Sequence, residues 1–318
     1  MKIGIIMDPI AGINIKKDSS FAMLLAAQAK DWNIYYMEMS DLFLADNIPG
    51  ARMRRLKVTD DNTHWFEYQD EITCDLSSLD VILMRKDPPF NMEYIYATYM
   101  LEHAQQQGTL IVNNPEALRD ANEKLFISWF PQCIAPTLVT RNTDHIFKFI
   151  DEHKDIILKP LDGMGGTSVF RIQHSDANAN VIIETLTNKG TRFSMAQRYL
   201  PEVREGDKRI LLIDGEPIPY ALARIPQANE NRANLVAGGD AKGIELTDKD
   251  RWICEQLAPM LREKGLLFVG IDVIGDYLTE INITSPTCIK ELDTLYDLNI
   301  ANELMSIIEK KCAQNKTN

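Results

Sequence analysis

The chain of 318 residues exceeds one average domain, and its 45% hydrophobic and 25% charged content is that of a globular protein able to bury its own core. A formal net charge of −12 excludes nucleic acid and anionic membrane as main partners, although a local basic pocket can still take a small anion. Five cysteines without a C-x-x-C pair read as free thiols of a reducing cytoplasm, the five histidines lack metal spacing, and no apolar run is long enough to span a bilayer.

Met1-Lys2 leads straight into Ile3-Gly4-Ile5-Ile6-Met7, so no signal peptide is expected, and this run reads as a buried parallel strand that Pro9 ends. Asp18 can N-cap a helix over 19–30 with the apolar stripe Phe21, Leu24 and Leu25. A strand over 33–39 follows, and then two strands of an antiparallel insertion up to Gln69. Val81-Ile82-Leu83-Met84 is another buried strand, which empties into Arg85-Lys86-Asp87-Pro88-Pro89. A helix over 92–106 and a strand over 109–112 complete an open α/β unit with a parallel sheet. Such sheets bind ligands beyond the carboxyl ends of their strands, where both 8–20 and 85–89 lie. Arg85 and Asp87 read either as a surface ion pair capping a strand or as a substrate clamp.

Asn114-Pro115 opens a connecting helix over 116–129 that carries Lys124, and helical lysines are ordinarily solvated. Strand 137–140, helix 143–153 and strand 155–158 then deliver Lys159-Pro160-Leu161-Asp162-Gly163-Met164-Gly165-Gly166, before Val169-Phe170-Arg171-Ile172 turns apolar again. Taken alone, this strand, Gly-rich loop and strand is either a plain hairpin or a cover for a polyphosphate, with backbone N–H groups forming an anion nest. The Walker spacing is absent, and no helix follows as a dinucleotide fingerprint requires. Helix 176–187 and strand 193–200 finish a small α+β unit.

Asp214-Gly215 is a two-residue hairpin turn, which sets Ile213 against Glu216 and Arg209 against Tyr220. Counting in twos, Arg209 and Arg224 share one face with no acid between them, so they hold an anion or line a solvated surface. The aperiodic stretch 226–243, with Arg232 and Asn234, reads as a lid or a disordered loop. After a helix over 248–264, strands 267–274 and 278–283 meet through Gly275-Asp276. Glu280 and Asn282 project from one face of an otherwise apolar strand. Asp272 joins them if the turn has three residues and faces away if it has two. Two carboxylates and an amide oxygen are the ligands a Mg²⁺–nucleotide needs, the other reading being an exposed polar face. Ser285-Pro286-Thr287 forms a tight turn, and a last helix runs over 298–311.

The ordered set Lys124, Lys159 to Gly166, Gln197-Arg198-Tyr199-Leu200, Asp207-Lys208-Arg209, Arg224, Asp272 and Glu280-Ile281-Asn282 resembles the ATP-grasp carboxylate–amine ligases. Met7-Asp8-Pro9-Ile10, Lys16-Lys17-Asp18-Ser19-Ser20-Phe21, Met84 to Phe90 and Asn282 to Thr287 narrow the resemblance to the bacterial glutathione synthetases, over nearly the whole chain. That resemblance implies an α/β fold: an N-terminal open parallel-sheet (pre-ATP-grasp) domain, 1–122, then a two-lobed α+β ATP-grasp domain. Its central lobe, 123–202, would carry the Gly-rich loop, and its C-terminal lobe, 203–318, the lid and the metal site. The implied reaction joins γ-glutamylcysteine to glycine through an acyl phosphate, with ATP giving ADP and phosphate.

By the same resemblance, Lys124 and Lys159 contact the phosphates under the Gly165 and Gly166 amides. Gln197, Tyr199 and Leu200 line the adenine pocket, and Asp207 holds the ribose. Asp272, Glu280 and Asn282 bind Mg²⁺, or Mn²⁺ in its place, as two ions with ATP. Arg209, Arg224 and the lid's Arg232 stabilise the transferring phosphoryl group. Asp18, Ser19 and Arg85 face the γ-glutamyl end, and Ser285, Pro286 and Thr287 the peptide end. Cys288 lies nearby as a packed thiol. The family also implies a cytoplasmic homo-oligomer, commonly a tetramer. A D-alanine–D-alanine ligase or a glutamate-adding enzyme shares the ATP half but not 18–21 and 85–89. A non-catalytic ATP-grasp module would lack a metal ligand or an arginine, whereas Glu280, Asn282, Arg209 and Arg224 are all present.

Overall fold

The computed structural model describes residues 1–163, 165–227 and 240–315, in which three sheets follow one another along the chain. Arg232 and Asn234, and with them most of the expected lid, lie outside the described residues, as does Met164. The first sheet has a parallel centre: β1 (Lys2–Ile6) lies between β2 (Asn33–Met37) and β6 (Val81–Met84), and β7 (Leu110–Val112) adds beyond β6. The insertion contains three strands where two were expected: β3 (Leu42–Ala45), β4 (Ile48–Val58) and β5 (Phe66–Asp75). The long β4 serves β2 and β3 antiparallel along one edge and β5 along the other.

Two crossover helices follow their sequence signals. Asp18 caps α1 (Ser19–Ala29) by accepting from Phe21 N at 2.6 Å, and Asn91 caps α2 (Met92–Gln106) by accepting from Tyr94 N at 3.1 Å. The connecting helix is shorter than expected. Helix α3 (Pro115–Asp120) stops, and a 3-10 turn over Leu125–Trp129 starts afresh. Between them the Asn122 side chain accepts from Lys124 N (3.2 Å) and Leu125 N (2.9 Å), an alternative to helical pairing. Lys124 is thereby turned inward and buried, not solvated.

The second sheet is antiparallel in the order β10-β9-β11-β8: Phe170–Gln173, Asp155–Pro160, Ser194–Arg198 and Thr137–Thr140. Helices α4 (Thr143–His153) and α5 (Ala179–Leu186) cover it through Ile146, Ile150, Ile156, Leu158, Ile183 and Leu186. Helix α5 begins later than expected because the Asp176 carboxylate accepts from Asn178 N at 2.8 Å and holds a turn there.

The third sheet is antiparallel in the order β14-β13-β12-β15-β16: Asp240–Glu245, Glu216–Ile225, Asp207–Ile213, Phe268–Ile274 and Tyr277–Asn282. Strand β14 occupies the end of what reads as aperiodic loop. Helix α6 (Asp248–Glu263) packs below this sheet, where Lys208 of β12 reaches the fully buried Asp250. Two helices close the chain, α7 (Ile289–Tyr296), which periodicity did not reveal, and α8 (Ile300–Asn315). Helix α8 returns to pack on α1, so one apolar cluster joins Phe21 and Leu24 to Leu304 and Ile308.

Tyr296 of α7 stacks on Tyr220 of β13, with ring centroids 3.7 Å apart, and its ring covers Gly243 of β14. A Cβ at Gly243 would lie 2.6 Å from Tyr296 Cε2, so the stacked ring must shift to admit it. Gly243→Ala is therefore expected to cost about 1–3 kcal/mol as an overpacking substitution. Chemical denaturation checks this; an unchanged midpoint would mean that the Tyr220–Tyr296 stack moves freely.

Candidate active site

Two β-bulges decide which side chains face the cleft between the second and third sheets. Strands β12 and β13 start in the expected register, Ile213 against Glu216, but then slip. Arg209 ends opposite Leu222 and not Tyr220. Pro217 and Pro219 have no N–H to give the ladder, which is why the bulge falls there. The slip is by two residues, so Arg209 and Arg224 still share a face. Between β15 and β16 the turn is the two-residue Gly275-Asp276, with Ile274 opposite Tyr277. The expected consequence, Asp272 facing away from Glu280, does not follow. An extra residue, Thr279, bulges out and donates from Oγ1 to Asp272 O at 3.1 Å. One inserted residue flips the face, and Asp272 pairs with Glu280.

The arginine pair is not free of acids. Asp272 lies between the two: Arg209 Nε and Nη2 donate to its oxygens at 2.5 and 3.0 Å, and Arg224 Nη2 reaches Oδ2 at 3.0 Å. Arg224 Nη2 also pairs with Asp207 at 2.5 Å. Gly270 makes this possible, since a Cβ there would meet Arg209 Cδ at 3.1 Å and Pro286 Cβ at 2.9 Å. A glycine inside an apolar strand signals such a close approach. Burial works against charge on Asp272, but Arg209 and Arg224 outweigh it and hold this carboxyl below the usual range. Asp207 goes the other way. Its burial, with Asp272 and Glu280 close by, outweighs Arg224 and pushes it up to about 6.

Asp207 and Asp272, with Arg209 and Arg224 bonded behind them, border a cleft of about 990 Å³, counted to its open mouth. Lys124, Lys159, Gly165, Gly166, Asp272 and Glu280 line one part of it. Gln197, Tyr199, Leu200 and Asp207 line another, over a bed that includes Ile157, Val169 and Leu278. Lys124 Nζ donates to Gly163 O at 2.8 Å and lies 3.6 Å from Glu280. Lys159 Nζ is 3.9 Å from Glu280, and its burial, which Glu280 opposes, lowers its pKa. Gly163, Gly165 and Gly166 all have positive φ, a backbone that side chains resist. Four cations (Lys124, Lys159, Arg209, Arg224) thus meet three carboxylates (Asp207, Asp272, Glu280), an excess that suits an anion. Two buried polar atoms, Asp207 Oδ1 and Arg224 Nε, have no hydrogen-bond partner among the described residues, as expected where a ligand completes the network.

Among the described residues no three His, Cys, Asp or Glu side chains gather as a metal cage. The donors for a hard cation are Asp272, Glu280 and Asn282, whose amide Nδ2 points to Asp272 Oδ2 at 3.3 Å and leaves its oxygen free. An all-oxygen set with few protein ligands suits a divalent ion that also binds phosphates.

The N-terminal residues converge on the loop after β16. Arg85 is buried, not a surface ion pair: Nε donates to Ser20 Oγ at 3.0 Å and Nη2 to Pro286 O at 2.9 Å. Asp87 instead receives the Ser285 hydroxyl, while its N–H donates to Asp8 at 3.0 Å. Ser19 Oγ accepts from Ile289 N at 3.2 Å, and burial raises the Asp18 pKa. Thr287 Oγ1 lies 3.7 Å from the Cys288 sulfur, which is buried. A second cleft, of about 1490 Å³ on the same measure, opens beside this loop and shares Lys124, Gly163 and Thr167 with the first. Tyr94, Glu123 and Gly270, none singled out from sequence, all belong to these walls or their supports, as does Asp8.

Comparison with known proteins accords with this arrangement. The family model of the prokaryotic glutathione synthetase N-terminal domain matches residues 1–119, and that of the prokaryotic glutathione synthetase ATP-grasp domain matches residues 123–297. The chain is 59% identical over 311 residues to the glutathione synthetase of Pseudomonas putida, covering 98% of each. It is 56% identical over 314 residues to that of Escherichia coli O127:H6, covering 99% of each. Among solved structures, D-cycloserine synthetase DcsG has a similar fold, with a TM-score of 0.67 at 15% identity over 98% of this chain and 99% of that one. The ATP-grasp ligase PsnB, in a complex with a minimal precursor, Mg and ADP, superposes with a TM-score of 0.64 at 15% identity over 98% and 97%.

Proposed function

The chain belongs to the prokaryotic glutathione synthetase family, and from that premise we propose that its two clefts divide the work between nucleotide and peptide. It is an ATP-dependent carboxylate–amine ligase that joins γ-glutamylcysteine to glycine and gives glutathione, ADP and phosphate. A carboxylate accepts an amine poorly because oxide is its leaving group. Transfer of the γ-phosphoryl group from ATP makes the cysteinyl carboxylate an acyl phosphate. The glycine amine then attacks, and phosphate leaves. No protein nucleophile is needed, so catalysis is positioning and charge neutralisation.

In this reading Lys124 and Lys159 hold the phosphates with the Gly165 and Gly166 amides. Gln197, Tyr199 and Leu200 hold the adenine, and the free Asp207 Oδ1 takes a ribose hydroxyl. Asp272, Glu280 and Asn282 would hold Mg²⁺, or Mn²⁺, as two ions with ATP. When bound, the metal neutralises phosphate charge. Arg209 and Arg224 meet the negative charge that develops on the transferring group. Arg232 is assigned with them by resemblance alone. By resemblance, Asp18, Ser19 and Arg85 take the γ-glutamyl end, and Ser285, Pro286 and Thr287 the rest of the peptide; none of the six is among the residues lining the two clefts, and they stand behind the walls. The convergence of residues from 124 to 280 on one cleft is the observation that carries this assignment.

The three sheets support three units, 1–122, 123–202 and 203–318. Among the described residues no helix is long and apolar enough to cross a membrane. A cytoplasmic homotetramer is the assembly proposed. Exposed Phe43, Leu44 and Ile48, with Tyr96 and Tyr99 on the neighbouring α2, support such a contact surface.

The decisive assay is ADP release with Mg²⁺-ATP, γ-glutamylcysteine and glycine, omitting each in turn. Release that needs every component, matched by tripeptide, is expected. Equal release with D-alanine or glutamate in place of the peptide would mean that the N-terminal loops are misassigned. Bound ATP without release in any mixture would point to a non-catalytic module. Asp207 adds a pH prediction. It must be ionised to hold Arg224, so kcat/KM for ATP should fall as pH drops through about 6. A profile flat across that value would remove Asp207 from the nucleotide site.

A further inference from the structure

The ligation described above brings an amine to an acyl phosphate, and the following inference rests on that reading. Glu123, just before Lys124, is pinned on one side only. Its Oε1 accepts from Ile283 N at 2.9 Å, Thr284 N at 3.1 Å and Thr284 Oγ1 at 2.9 Å. Its backbone carbonyl accepts from Ile281 N at 2.9 Å. Glu123 therefore brackets Asn282 at the sheet edge, and three donors saturate one carboxylate oxygen. The other, Oε2, takes no hydrogen bond from the described residues. A carboxylate held this way is fixed in position yet chemically available.

Glu123 lines the second cleft, with Lys124, Asp162, Arg192 and Thr284. Because that cleft meets the first at Lys124, Gly163 and Thr167, a molecule in it can reach a group activated beside Lys124 without crossing the nucleotide. A separate observation lies behind the same wall. Tyr94 is 1% exposed, yet its hydroxyl has no hydrogen-bond partner among the described residues. Its electrostatic neighbours are Glu123, Arg85 and Asp87. An orphaned hydroxyl beside a half-free carboxylate leaves room for a polar group the protein does not supply. The other acids are worse placed. Asp162 is exposed in the Gly-rich loop, and Glu280 faces the two lysines of the first cleft.

We propose that Glu123 receives the amine of the incoming amino acid and takes its proton. At neutral pH that amine arrives as an ammonium, which has no lone pair with which to attack. One proton passes to Glu123 Oε2. The freed lone pair forms the C–N bond at the acyl carbon. The C–O bond to phosphate breaks with its electrons going to phosphate, which also carries away the second proton. Glu123 then returns its proton to solvent.

Glu123→Gln tests this, because the amide keeps an oxygen for Ile283 and Thr284 and removes only the charge and the proton acceptor. With glycine, kcat/KM for the amine is expected to fall about 100-fold. Hydroxylamine is unprotonated at neutral pH and needs no base, so it should restore turnover in the variant, read as the γ-glutamylcysteine hydroxamate. Unchanged glycine turnover would overturn the proposal. So would equal loss with both nucleophiles, which would make Glu123 a pin for the Ile283-Thr284 loop and nothing more. If the parent enzyme forms no hydroxamate, the acyl-phosphate reading itself fails and takes this role of Glu123 with it.

Discussion

Arg224→Ala is expected to lower kcat by about 10²–10³-fold, the loss that follows removal of one preorganised donor to developing charge. Nucleotide affinity should fall much less than kcat, since Arg224 bonds Asp207 and Asp272 of the cleft wall but touches neither Lys124, Lys159 nor the 197–200 strand end. Stability will fall as well. Arg224 is buried and bonds both Asp207 and Asp272, and breaking such a buried pair costs about 3–5 kcal/mol. The loss should depend on pH with a definite sign. Without Arg224 the main force holding Asp207 ionised is gone, and a carboxyl already raised to about 6 rises further. The folded variant then binds more protons than the unfolded chain, so its stability declines as pH rises through neutrality. ADP release, nucleotide-induced thermal shift and urea melts at two pH values separate these effects. If turnover and nucleotide binding fall in parallel, Arg224 is a structural residue only.

Asp272→Asn should damage the fold to a similar degree. The substitution preserves shape, but it leaves Arg209 and Arg224 facing each other with one carboxylate, Asp207, for two guanidiniums. Stability is expected to drop by about 3–5 kcal/mol. Ligation should be lost as well, because one of three oxygen donors for the metal becomes neutral. Asp272 titrates below its unfolded value in the folded protein, so its contribution is present above about pH 3.9 and disappears as pH falls below it. The parent's stability should therefore decline at the acid end, and the variant should lack that part of the decline. Denaturant midpoints from pH 7 down to about 3 read this directly. Identical pH dependence in both proteins would mean that another carboxyl carries the acid transition. Full activity in the variant would remove Asp272 from the metal site.

Much of the site is visible in the linear chain because strand and cap signals are local. Asp18 and Asn91 announce their helices through the N–H groups they accept. Glu280 and Asn282, two apart in an apolar run, already declare a polar edge. The N-terminal loops after β1 and β6 meet where parallel-sheet topology sends ligands. Lys124 was harder. Its helix is broken by the neighbouring Asn122 side chain, and its burial depends on Gly163 from the Gly-rich loop after β9. Arg85 likewise looks like a strand-end surface charge until Pro286, far away in sequence, supplies the carbonyl that covers it. Glu123 carries no periodic signal, because its partners Ile283 and Thr284 are 160 and 161 residues away.

By itself the sequence determined which residue types stand on which strands and the parity that puts Arg209 and Arg224 on one face. The period of a strand is a property of its own backbone, and a slip of two residues leaves it intact. Tertiary structure decided everything that depends on pairing between strands. The bulge at Thr279 brings Asp272 onto the face of Glu280 despite a two-residue turn, and the absence of a side chain at Gly270 lets Arg209 lie across to it. The charge states followed from the same contacts. Asp272 and Asp207 are the same residue in similar burial, and their pKa values are driven apart because Asp272 meets two guanidiniums while Asp207 shares one.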